Sequence, residues 1–212
     1  MTSINLRRVL GGLLASCVLA ASAAQADKCH PAIDTERSQY MIGYGSLMER
    51  ESKLATEPDA GINLPVLVKG FQRAWNIKGV YPTTFLGVEP SGSGTMVAAL
   101  YRDFLDADGK LASDAREIDY CRAPIDPASL TMLDGSAVPE SSQIWIYANK
   151  PESTALPDAE HPIVQSYVDI FITGCLQLQE RVRDPKLDFV EQCILTTDGW
   201  SKHWVNDRIN PR

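Results

Sequence analysis

The close spacing of the strand-like runs in the first half of this chain constrains its fold more than any other feature. Residues 65–75, 84–88 and 95–101 are largely apolar, carry Val, Leu, Ala and Phe, and follow one another closely. The connections between them are too short for the crossover of a dozen or more residues that parallel neighbours need. A doubly wound parallel sheet is therefore excluded. An earlier run, Gln39-Tyr40-Met41-Ile42-Gly43, reads as a buried strand that leads straight into the glycine turn Tyr44-Gly45-Ser46-Leu47. The run over 65–75 is expected to bend at Gly70. Pro90-Ser91-Gly92-Ser93-Gly94 reads as a hairpin between two strands; it lacks the lysine of a phosphate loop. Ser113-Asp114 reads as the start of a short helix that runs to about Asp119. Two more strands are expected over Cys121–Ile125 and Gln143–Tyr147.

The tail is helical. One helix is expected from Pro162 toward Leu178, and a second after Asp184-Pro185, carrying Phe189, Val190, Cys193 and Ile194 and ending at Thr197-Asp198-Gly199. Strands first and helices last is the pattern of an α+β domain.

The N-terminus carries an export signal in its anatomy. Arg7 and Arg8 precede the apolar run Val9–Ala20, and Ala24-Gln25-Ala26 offers a small-residue cleavage site. The run falls short of the roughly 20 residues that span a bilayer, so no stable membrane anchor is expected. A competing reading takes Leu14-Ala15-Ser16-Cys17 as a lipobox with a lipid on Cys17, but the apolar run continues past that cysteine. The expected organisation is a signal peptide over 1–26, an arm over 27–38 and one domain over 39–212, periplasmic or secreted. The formal net charge of −7 becomes more negative once Arg7 and Arg8 are removed, and no basic run is present. Nucleic acid is therefore a poor partner. Nothing in the sequence sets the oligomeric state.

Cys29, Cys121, Cys175 and Cys193 remain after cleavage. In an oxidising compartment they can form two disulfides. Cys175 and Cys193 stand at similar distances from the turn of the expected helical hairpin, which places them at one height. Three connectivities are open; that pairing would leave Cys29 with Cys121, and the alternative is that the two helical cysteines are buried free thiols. There is no C-x-x-C pair and only three histidines, so no metal template fits.

Three local features carry chemistry. The turn Tyr44–Leu47 is a backbone nest suited to a carboxylate or oxyanion. Ser46 lacks the Gly-x-Ser-x-Gly context of a nucleophile elbow. Asp114–Arg122 places Glu117 at a helix-to-strand junction, where a solvated charged face is the plain alternative. Trp200, His203 and Trp204 either line a pocket or pack the C-terminus onto the sheet.

In order along the chain, Tyr40–Leu47, Val68–Arg73, Leu86–Pro90, Arg116-Glu117 with Tyr120 and Arg122, Trp145–Tyr147 with Pro151, and Pro162-Ile163 with Ser166-Tyr167 resemble the gamma-glutamylcyclotransferase-like family. The resemblance covers roughly residues 39–208. It implies a small mixed β-barrel with flanking helices and a cofactor-free reaction on γ-glutamyl amides or amines that leaves 5-oxoproline. It implies Glu117 as the acid/base, Tyr44, Gly45, Ser46 and Leu47 as the turn that holds the glutamyl headgroup, and Tyr120 as a pocket tyrosine. The chain departs from the family at Leu47, where an Asn is frequent, and at Asp119, where many relatives have Gly. A non-catalytic module that binds a carboxylate or γ-glutamyl ligand through the same nest is the alternative reading.

Overall fold

A computed structural model describes residues 29–79 and 81–209. The expected export signal and cleavage site, and the lipobox alternative at Cys17, lie outside the described residues. No helix among the described residues is long and apolar enough to cross a membrane.

The chain forms an α+β fold around a seven-stranded mixed sheet. Its strands are β1 (Gln39–Gly43), β2 (Leu64–Lys78), β3 (Thr84–Asp103), β4 (Tyr120–Pro124), β5 (Leu130–Met132), β6 (Gln143–Asn149) and β8 (Thr197–Asp198). The order is β4-β6-β1-β3-β2-β5, and β8 lies parallel on β2. β1 sits at the centre, antiparallel to β3 and parallel to β6. The pairing path is open, since nothing among the described residues pairs β4 with β5. Two short strands, β7 (Ile163–Val164) and β9 (Trp204–Val205), pair separately. The helices are α1 (Arg50–Leu54), α2 (Gln165–Gln179) and α3 (Phe189–Leu195).

The alternation of side chains along β1 divides the core in two. Ile42 joins the large cluster under α2 and α3, with Trp75, Leu86, Phe171 and Phe189. Met41 joins a smaller cluster on the opposite face, with Leu47, Tyr101, Trp145 and Tyr147. The sheet is thus buried on both faces at its centre, which is why its strands read as near-continuous apolar runs.

Two expectations require correction. The segment Pro90–Gly94 is not a hairpin. Residues 84–103 form one strand that runs antiparallel along the whole of β2, and the extra residues are absorbed as a bulge opposite Gly70. Gly70 has φ +89, a conformation glycine adopts without a Cβ clash, so the expected bend is there. The expected helix over 113–119 is a single 3₁₀ turn, Ala112–Ala115. Ser113 is not its cap. Its buried hydroxyl donates to Asp103 Oδ2 at 2.7 Å, a long-range bond that outcompetes local helix capping.

Both disulfides form as expected. Cys175 of α2 and Cys193 of α3 have Cα atoms 6.5 Å apart, and Cys29 and Cys121 4.5 Å apart. Closing their loops, 18 and 92 residues in separation, contributes about 3 and about 4.6 kcal/mol by chain entropy. The second bridge fixes the arm against β4. Arg122 strengthens that seam: its amide donates to Cys29 O at 2.8 Å and its Nη2 to Pro31 O at 2.6 Å.

At the C-terminus Trp200 packs on Trp75 and stacks against Trp204. These rings close the end of the chain onto the sheet, as the packing alternative expects, and they do not line the cavity described next.

Candidate active site

The exit of β1 builds the site. The turn after Gly43 forms one 3₁₀ turn, Ser46–Met48, against which α2 packs at Gly174; a Cβ there would come within 2.7 Å of the Glu49 amide. Gly45 has φ −130, so no left-handed conformation demands a glycine. What demands it is space: a Cβ would sit 2.7 Å from the Tyr167 hydroxyl.

A cavity of about 350 Å³ opens over this turn, within the ordinary range for small-ligand sites. All six residues singled out from the sequence, Tyr44, Gly45, Ser46, Leu47, Glu117 and Tyr120, line it. They arrive from the exit turn of β1, from the turn before β4, and from β4 itself. Sequence reading missed Tyr167 of α2 as a site residue, although its motif carried part of the family resemblance. It also missed the aromatic and aliphatic wall of Ile77, Tyr81, Phe85, Leu86 and Ile170. No histidine lines the cavity.

Glu117 follows the 3₁₀ turn, with its amide bonded to Ser113 O at 3.2 Å, so it is not on a helix body. Its side chain is only 12% exposed. Burial lifts its carboxyl from the usual carboxylate range to about 7; Arg116 opposes the rise and Asp119 adds to it. Arg116 Nε lies 3.3 Å from Glu117 Oε1. The rest of that guanidinium is turned away. Nη1 donates to Ser52 O at 3.0 Å and Thr56 Oγ1 at 2.8 Å, and Nη2 donates to Ser46 Oγ at 2.6 Å. Arg116 therefore ties Glu117 to the glycine turn.

The tyrosines are held as neutral donors. Tyr44 donates to Tyr147 O at 2.6 Å and Tyr120 to Leu86 O at 3.1 Å. Burial pushes both hydroxyls well above their usual pKa, with neighbouring groups including Glu117 adding to the rise. Burial also raises Tyr167, and the adjacent Ser46 backbone and side chain pull it down in part. Beneath the cavity, Tyr147 donates to Asp114 Oδ1 at 2.6 Å and contacts Ser113 Oγ at 2.9 Å. Arg122 clamps Asp114 at 2.6 Å. That chain fixes residues 113–117 from below.

No His/Cys/Asp/Glu group among the described residues is arranged to hold a metal. The cavity thus offers one buried acid poised near neutrality, a serine-bearing turn, tyrosine hydroxyls and an apolar wall. Those are parts for proton transfer on a small polar molecule.

No family model matches the chain, and no curated protein matches it. The search of solved structures does find relatives of its fold. A structure described as gamma-glutamyl cyclotransferase superposes with TM-score 0.56 at 12% identity, covering 81% of this chain and 95% of that one. An uncharacterised protein from Homo sapiens aligns at 0.49 and 13% identity, over 82% of this chain and 96% of that one. A gamma-glutamyl cyclotransferase specific to glutathione from yeast aligns at 0.39 and 10% identity, over 75% and 97%. The first of these shows that the chain has a gamma-glutamylcyclotransferase-like fold.

Proposed function

We propose that this protein is an exported, cofactor-free cyclotransferase that acts on γ-glutamyl amides or amines. The observation that carries the reading is the buried Glu117 carboxyl, near neutral in pKa, facing one cavity with the Tyr44–Leu47 turn. The fold match and the two disulfides support it, the latter because such bridges persist in oxidising compartments.

The turn and the tyrosines fold the glutamyl headgroup so that its α-nitrogen reaches its own γ-carbonyl. Glu117 takes a proton from the α-ammonium. The freed amine attacks the γ-carbon, the C–N bond to the leaving amine breaks, and a lactam forms. Two protons leave the α-nitrogen in all, and two end on the departing amine, the first of them delivered by Glu117. Neither water nor an external acceptor is consumed. Intramolecular attack of this kind carries an effective molarity of about 10⁵ M or more once the chain is folded. One carboxyl with a pKa near the working pH serves as base and then acid. Backbone N–H groups of the Tyr44–Leu47 turn are the donors that would stabilise the developing oxyanion.

The test is to incubate the mature domain with a panel of γ-glutamyl amides and amines and measure 5-oxoproline. Release that Glu117→Gln lowers by about 10²–10⁴-fold, with an intact fold, supports the reading. Saturable binding without turnover assigns a non-catalytic binding module instead. A covalent acyl-serine at Ser46 would overturn both; Ser46 Oγ faces the Arg116 guanidinium, which is no base.

A further inference from the structure

The charges that line the cavity are unbalanced. Among the described residues Glu117 and Asp119 contribute two carboxylates, and Arg116 the one guanidinium. All five N–H donors of Arg116 are engaged: Nε faces Glu117, Nη1 serves Ser52 O and Thr56 Oγ1, and Nη2 serves Ser46 Oγ and, at 3.5 Å, Ser52 Oγ. No donor of Arg116 is left for a carboxylate on the leaving group. Lys78, next to Ile77, and Lys150, whose ammonium reaches Ile118, are also committed. Lys78 pairs with Asp158, and Lys150 Nζ donates to Ile118 O at 2.6 Å.

Asp119 is the unanswered group. It is half-buried at the cavity wall, and among the described residues its carboxylate makes no hydrogen bond or ion pair. Gly79 leaves room for it, since a Cβ there would stand 2.8 Å from Oδ2. The wall on the same cavity is apolar and aromatic. Ile77, Leu86 and Ile170 suit a methylene chain, and Tyr81 and Phe85 meet edge-on with centroids 6.4 Å apart. An apolar stem, aromatic faces and an unpaired carboxylate together match an alkyl chain that ends in a cation. Glu117 does not supply that carboxylate, because the α-ammonium occupies it.

We propose that Asp119 is a specificity-determining residue that selects γ-glutamyl substrates whose leaving amine carries a second, cationic amino group, as in the γ-glutamyl amide of an α,ω-diamine. The inference rests on the cyclotransferase reading. It also implies discrimination against leaving groups that bear a carboxylate, which would face Asp119 with no cation to receive them.

Matched substrates test it. γ-Glutamyl-1,4-diaminobutane and γ-glutamyl-pentylamine have nearly the same shape and differ in the terminal charge. The wild-type protein is expected to favour the diamine derivative by about tenfold or more in kcat/KM, the size of one charge-assisted contact. Asp119→Asn is expected to collapse that ratio toward one. The ratio is the readout because the substitution also alters the field at Glu117 and so moves absolute rates. Equal kcat/KM for the two substrates in wild type, or an unchanged ratio in Asp119→Asn, overturns the proposal. If no substrate yields 5-oxoproline, the cyclotransferase reading has failed, and calorimetry with free butane-1,4-diamine and pentan-1-amine decides the role of Asp119. Tighter diamine binding that Asp119→Asn removes supports it; equal binding of the two amines, or tighter diamine binding that survives the substitution, overturns it.

Discussion

A carboxyl with a pKa of about 7 makes a sharp demand on the pH dependence of the proposed reaction. Glu117 acts as a base only when ionised, and burial is the main reason it holds its proton to about 7. At pH 5 about 1% of the free enzyme carries the carboxylate, and at pH 8 about 90%. The value of kcat/KM, which reports the free enzyme, is therefore expected to rise about 90-fold between those pH values, with a midpoint near 7. Above that the profile is flat until the substrate's own amine loses its proton. The assay is 5-oxoproline release at low substrate concentration from pH 5 to 8.5, with circular dichroism at each pH. The dichroism control matters because the same proton bears on stability. The folded state holds it up to about 7 and the unfolded state only to about 4.5, so folding weakens as pH rises through that window. Rate and stability thus move in opposite directions, and unfolding cannot mimic the expected rise. A midpoint near 4.5 in the wild type, or an acid limb that survives in Glu117→Gln, would refute the assignment of Glu117 as the base.

Glu57 offers a test confined to stability. It is 1% exposed, and neither its oxygens nor the facing Tyr101 hydroxyl completes a hydrogen bond of regular geometry. Burial above all, then Asp103, raises its carboxyl from 4.5 to about 7. Glu57→Gln should therefore gain about 2.5 kcal/mol relative to wild type between pH 5 and pH 8 in urea denaturation, and a pH-independent difference would contradict this. Gly45→Ala should displace the Tyr167 hydroxyl and raise KM while thermal stability stays within a few degrees; unchanged kinetics would show that the close approach is not needed. Replacing both Cys175 and Cys193 by Ser should cost about 3 kcal/mol, read as a fall in the urea midpoint, and recovery of both as free thiols from exported wild-type protein would remove the basis for that figure.

The fold was legible where local pattern and burial agree. β1, β6 and α2 are apolar at a single clear period, and each lies close to where the sequence places it. The helical hairpin disulfide followed from equal distances to a turn. Legibility failed where a distant partner overrode a local signal. Pro90–Gly94 has turn chemistry, but β2 continues past Gly70 and goes on pairing with β3 beyond the bulge, in a shifted register. Ser113-Asp114 has capping chemistry, but Asp103 takes the serine and Arg122 and Tyr147 take the aspartate. The candidate site divides in the same way. Its strand-exit turn and the acid at 117 were visible in order along the chain, whereas Tyr167 becomes a site residue only because Gly174 lets α2 press onto the turn.

What turns a common glycine turn into a candidate site is the fate of its carbonyls. Tyr44 O accepts from the buried Arg73 at 3.2 Å. Gly45 O and Ser46 O accept from the amides of Met48 and Glu49. Leu47 O and Met48 O both accept from Asn63 Nδ2, at 3.0 and 2.8 Å. Asn63 is in turn held by the ammonium of Lys53, which is 1% exposed. Every carbonyl from 44 to 48 is thus fixed from the protein side. A peptide plane carries its N–H opposite its C=O, so fixing the carbonyls also fixes where the amides point. Arg73 does this with no carboxylate partner among the described residues. It is fully buried among neutral acceptors, Val97 O and Cys193 O at 2.9 and 2.8 Å and Thr197 Oγ1 at 2.7 Å, and burial lowers its pKa to about 9. Retaining a cation there costs desolvation that an apolar residue would avoid. Its return is rigidity: one guanidinium joins the turn after β1 to the end of α3, whose position the Cys175–Cys193 bridge also secures. Donors that need not reorganise when charge develops are the ones that lower a barrier most, and here that rigidity comes from Arg73, Asn63 and Lys53, which no motif around Ser46 contains.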